Sequence, residues 1–136
     1  MSAKDRKASF ESIERAPFAE ILALRIESAE DGVVVARMPF RPEILNLGGP
    51  SAPVHGGAIA SLVDFTACAA VWTLEQTVRS ATIAMSINFT GPAIQSDLIA
   101  RATVKRAGKR VASIAVEIRD GADALVADAL VTYKIS

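Results

Sequence analysis

Seventeen consecutive residues, Ala58 to Leu74, carry a single charge, Asp64, and no charged face. At helical spacing the segment is apolar nearly all round, so the helix must be enclosed by other structure. Seven of its positions are small (Ala58, Ala60, Ser61, Ala67, Cys68, Ala69, Ala70), which lets a curved sheet close tightly against it. It is shorter than a typical membrane span and holds Asp64 near its middle, so a spanning role is not expected. A chain of 136 residues provides one domain, 1–136, large enough for a core around such a helix.

The rest of the chain supplies the enclosure. Residues 1–17 form an N-terminal arm with a short amphipathic helix over Phe10 to Phe18, Ser9 as its cap and Pro17 near its end. Ile21 to Glu30 and Val33 to Phe40 are strand-like and joined by the Glu30-Asp31-Gly32 turn. Residues 41–54 contain Pro42, Gly48, Gly49, Pro50 and Pro53 and must be a loop. A loop this long inside a compact domain is more often functional than idle. Four period-two segments follow the helix: Thr82 to Thr90, Leu98 to Lys105, Val111 to Arg119 and Leu125 to Ile135. Turns around Ala107-Gly108 and Asp120-Gly121 punctuate them. In the first, Ile83, Met85, Ile87 and Phe89 share one face, with Ala84, Ser86 and Asn88 on the other. The fold class is α+β, an antiparallel sheet wrapped around a long central helix.

Charge excludes some functions. Fifteen acidic and fifteen basic residues balance, so no global field draws in nucleic acid or an anionic membrane. One cysteine and one histidine allow neither an internal disulfide nor a metal-ligand cluster. Residues 1–16 contain no signal-peptide core. Apolar residues make up 51% of the chain, and such a surplus in a short domain points to burial between subunits. The expectation is a cytoplasmic, soluble oligomer.

The chemistry concentrates in Val54-His55-Gly56-Gly57 and in Asp64 two turns further on. A helix start offers unpaired N–H groups and a positive dipole end. Gly56 and Gly57 either permit the turn into the helix or let a ligand oxygen approach closely; both readings stand. An acid inside an apolar helix costs free energy unless something uses or satisfies it. Gly56 and Asp64 are eight residues apart, so at ~1.5 Å rise per residue about 12 Å separates them. One carbonyl cannot touch both, because each must lie within roughly 3 Å of the reacting atoms. The expected site is therefore shared, with Gly56 from one copy and Asp64 from the other across a two-fold axis. Cys68 is expected as a small core residue, and Phe65, Trp72 and Phe89 as core or interface.

This ordered set resembles the hotdog-fold acyl-CoA thioesterases, and more narrowly their phenylacetic-acid-degradation type. A strand pair, a glycine-rich loop, His55-Gly56-Gly57 opening a small-residue helix with Leu62 and Asp64, and four strands carry the resemblance. It runs from about Phe18 to Ile135, and Thr82 to Ala93 (TIAMSINFTGPA) matches the family's strand-then-Pro-Ala segment. It implies hydrolysis of a CoA thioester, with coenzyme A entering as part of the substrate and no metal or redox cofactor. It also implies a homodimer, often a dimer of dimers (a homotetramer). By that pattern the Gly56 amide polarises the thioester carbonyl, with Gly57 beside it at the substrate. Asp64 is the nucleophile or general base, and His55 shapes the loop and orients the substrate carbonyl or the neighbouring asparagine. Thr82 falls where relatives place a hydroxyl that positions water or substrate. The family's asparagine about six positions before the histidine has no match, since position 49 is Gly; Asn46, nine before, is the nearest. Lys105, Arg106, Lys109 and Arg110 flank a hairpin turn and are either a solvated edge or the grip on the phosphates of coenzyme A. Two rivals share the fold: a module that binds acyl-CoA without turnover, and a hydratase or dehydratase acting on an acyl thioester.

Overall fold

A computed structural model describes residues 3–136; residues 1–2 of the expected arm lie outside the described residues. Two helices open it, α1 (Ala3–Arg15) and α2 (Pro17–Leu22), followed by strands β1 (Arg25–Glu30) and β2 (Val33–Met38). The long helix α3 spans Gly56–Val71, and β3 (Ser80–Phe89), β4 (Leu98–Ala107), β5 (Val111–Arg119) and β6 (Leu125–Ile135) complete the chain. All strand pairs are antiparallel, in the order β1-β2-β4-β5-β6-β3.

The sheet curls around α3. Its inner face alternates along each strand, as in Ile114, Val116 and Ile118 of β5 and Ala127, Ala129, Val131 and Tyr133 of β6, all buried. These meet Leu62, Val63, Ala67, Ala69, Ala70 and Val71 of α3. Small residues on both sides, such as Ala100, Ala102 and Ala112 on the sheet, bring the layers close. Truncating a fully buried side chain here, Leu62→Ala for instance, costs about 2–5 kcal/mol.

Several expected boundaries shift. The arm helix does not run from Phe10 to Phe18 under a Ser9 cap. Ser9 lies inside α1, its hydroxyl donating 3.0 Å to the Asp5 carbonyl. Pro17 starts α2, where its missing N–H has no helical partner to lose. Ile21 is therefore helical, and β1 begins only at Arg25 after Ala23 closes α2 at φ 53°. The 41–54 loop contains a 3₁₀ turn, Pro42–Ile44, and a Leu45–Val54 bridge that pinches its base. The long helix starts at Gly56 rather than Ala58 and stops at Val71.

Within one chain α3 is not enclosed all round. Gly57, Ser61, Asp64, Cys68 and Trp72 recur at helical spacing and form its less buried stripe. Cys68 is thus half-buried rather than a core residue. Edge strand β3 is also bare: Ile83, Met85 and Phe89 are exposed. At the other edge, the Glu14 carboxylate accepts the backbone N–H of Ile26 at 2.8 Å. Arg6 donates to the Thr73 carbonyl, 3.0 Å away, just past the end of α3. These two contacts fix α1 against the body of the domain.

Candidate active site

The stripe on α3 faces a cavity of about 370 Å³ that holds Asp64. Three elements supply its polar side: α3 gives Ser61, Asp64, Phe65 and Cys68; β3 gives Ser80 and Thr82; β6 gives Tyr133, while Ile13 of α1 and Phe18 and Ala19 of α2 close the opposite side. Asp64 Oδ1 accepts from the Thr82 hydroxyl at 2.7 Å and lies 2.7 Å from the Tyr133 hydroxyl. The Tyr133 hydroxyl is also 3.0 Å from the Asp64 carbonyl oxygen and has one proton to share between them. Among the described residues, Oδ2 of Asp64 has no donor. One carboxylate oxygen is held and the other is open to the cavity.

Thr82 reaches Asp64 because of a β-bulge. Strict alternation would put Thr82 on the face of Ala84, Ser86 and Asn88. The register slips between Thr82 and Ala84, so Thr82 pairs with Tyr133 while Met85 pairs with Val131. Thr82 thereby joins the inner face, and Ile83 is the extra residue of the bulge. Burial raises the Tyr133 phenol well above its ordinary value, and the nearby Cys68 and Asp64 add to the rise against a lowering contact with Thr82. Tyr133 is thus held protonated as a donor. Burial likewise pushes the Cys68 thiol up, opposed by its contact with Ser80 and reinforced by Asp64. Cys68 is a neutral wall residue, not a thiolate nucleophile.

At the start of α3, His55 occupies the capping position, and its Nδ1 accepts the Gly57 N–H at 2.8 Å. A β-carbon at Gly57 would lie 3.0 Å from that nitrogen, so glycine leaves room for the ring. The N–H groups of Ala58 and Ile59 go to the His55 carbonyl. Among the described residues the Gly56 N–H has no acceptor. Neither packing nor backbone demands glycine there: φ is not positive, and a β-carbon would meet the Phe89 ring at an ordinary 3.5 Å. The one open first-turn amide belongs to a residue whose smallness the fold does not need.

The structure therefore assembles Asp64, Thr82 and Tyr133, and separately His55, Gly56 and Gly57. Asn46 joins neither group; it is exposed, and its N–H closes the loop base on the Pro53 carbonyl. Arg106, Lys109 and Arg110 line a shallow recess with Val111 and Ser113 at the β4–β5 turn. Ala112 pairs with Tyr133, so the turn stands at the Asp64 end of the sheet. Arg106 pairs with Ser113, on the opposite face from buried Ala112. Lys105 is the extra residue where that register slips. Sequence reading missed Tyr133, which lies 69 residues from Asp64. Its signal was an aromatic hydroxyl on the inward register of an apolar strand.

Residues 53–127, more than half of the chain, match the thioesterase superfamily. The chain belongs to the thioesterase superfamily. Its six-stranded antiparallel sheet around one long helix is the hotdog thioesterase fold. A "putative esterase" of Halobacterium salinarum is 34% identical over 105 residues, 75% of this chain and 69% of that protein. The E. coli PaaI protein from the phenylacetic acid degradation operon superposes with a TM-score of 0.81 at 26% identity, covering 99% of this chain and 96% of that one. Zebra fish thioesterase superfamily member 2 gives a TM-score of 0.84 at 26% identity over 100% and 99% of the two chains. The superfamily match spans His55 to Gly57, Asp64 and Thr82, and stops short of Tyr133. Thioesterase-type hydrolysis is the activity to which this membership points. Among the described residues, no helix is long and apolar enough to cross a membrane.

Proposed function

We propose that this thioesterase-superfamily member hydrolyses acyl-CoA thioesters in a site shared by two copies of the chain. The carrying observation is the asymmetry of Asp64, with Oδ1 held by Thr82 and Tyr133 and Oδ2 open to the cavity. Oδ2 is the atom that attacks the carbonyl or takes a proton from the attacking water. Over the whole reaction the oxygen of water bonds to the acyl carbon, the C–S bond breaks, and the sulfur leaves as the thiol, carrying one proton of that water. The developing oxyanion needs a donor, and the Gly56 N–H at the positive end of α3 is the open one. His55 and Gly57 keep that turn in shape by capping it. The reaction so written draws only on protein groups and water.

Gly56 and Asp64 share α3 at about 12 Å, so a second copy completes each site. The bare β3 edge, ten residues without a charge, supports pairing there. Lys109 and Arg110 at the turn tip, with Arg106 on the outer face, meet the phosphates of coenzyme A. The test is thiol release over a panel of acyl-CoAs, with Asp64→Asn as the comparison. Asp64→Asn is expected to lower kcat by about 10²–10⁴-fold while keeping the fold. Retention of most activity overturns the mechanism, and no thiol release from any acyl-CoA overturns the function.

A further inference from the structure

The walls of the Asp64 cavity divide by origin. The polar groups come from α3, β3 and β6, which also give Phe65 and Ala81, whereas Ile13, Ala16, Phe18, Ala19 and Leu24 come from the N-terminal arm, which the structure extends through α2 to Leu24, and are all apolar. Phe18 also lines a second recess of about 210 Å³ with His55, Gly57 and Ser61, and so stands between the two parts of the site. Phe18 is 60% exposed, a costly place for an aromatic unless something apolar covers it. The arm is held in place: Arg6 bonds the chain just past α3, and Glu14 holds the β1 backbone. The arm is therefore a fixed boundary on one side of the cavity.

We propose that the arm, through Ile13, Ala16, Phe18 and Ala19, is the specificity wall that sets the size of the apolar acyl group seated beside Asp64. This rests on the acyl-thioester reading. An acyl chain extending from the carbonyl at Asp64 passes from the polar end to the arm. There each further methylene gains about fourfold in binding until the wall is met, then loses it.

Two substitutions probe the wall in opposite senses. Ile13→Trp fills it, and Phe18→Ala opens it at a position already exposed enough to leave the fold intact. For each, kcat/KM is measured for acetyl-, hexanoyl-, decanoyl- and phenylacetyl-CoA. The same panel is titrated calorimetrically against Asp64→Asn carrying each change. Ile13→Trp is expected to lower the decanoyl-to-acetyl ratio at least tenfold, and Phe18→Ala to raise it severalfold. The binding series should move in parallel. A ratio unchanged in Phe18→Ala overturns the proposal, as does an equal change for every acyl group. If the wild type releases no thiol, the hydrolase reading fails, and the calorimetric length dependence still decides the wall. Binding that ignores chain length in that case overturns it.

Discussion

At the scale of single residues, the site depends on which oxygen of Asp64 is occupied. Two hydroxyls on Oδ1 fix the carboxylate plane and leave Oδ2 as the open atom, the one the proposed hydrolysis uses. Tyr133 suits this because its burial keeps the phenol protonated, so it donates to the charge without competing for the proton. A hydrogen bond to a charged group is worth about 1.5–3 kcal/mol, or roughly ten- to a hundredfold. Tyr133→Phe is therefore expected to lower kcat by that factor with a much smaller change in KM, in steady-state thiol-release assays. An unchanged kcat would mean that Thr82 alone suffices to aim the carboxylate.

At the scale of elements, the start of α3 is one cap built from two residues: the His55 ring, and the Gly57 N–H together with the space left by the absent Gly57 side chain. Gly57→Ala and His55→Ala remove the same interaction, so each should cost about 0.5–2 kcal/mol and a Tm drop of roughly 2–8 °C. The double variant should be little worse than either alone, as thermal melts of all four proteins would show. Additive losses would mean that the ring and the glycine act separately. Much of this level was legible in the sequence. Hydrophobic period and glycine turns marked β5 and β6 at their observed ends and placed His55-Gly56-Gly57 at the mouth of the helix. Local punctuation misled at Pro17, where one proline fits the end of one helix and the first residue of another equally well. The bulge at Ile83 was illegible because period two presumes an unbroken ladder, and only pairing with β6 reveals the slip. Tyr133 and the apolar arm wall were hidden for the same reason, since long-range contacts bring them to Asp64.

At the scale of the whole molecule, Gly56 and Asp64 stand at separate points along one helix, and one apolar edge is bare. Met85 is on that bare strand, opposite Val131 on the inner face. Met85→Lys is expected to convert the proposed dimer to a monomer in sedimentation velocity, with thiol release lost in step. A monomeric variant that keeps its activity would refute the shared site. The two edges of the sheet differ in kind. β1 is short, bears Arg25, Glu27 and Glu30, bulges near Glu27, and has its Ile26 amide already spoken for by Glu14. β3 is long, uncharged and open. In the language of polymer chemistry such a protomer is monofunctional: it has one reactive end and one stopped end. If two copies pair through β3 as proposed, units of that type couple once, head to head, and strand-by-strand growth into a fibre finds no second open edge from which to continue.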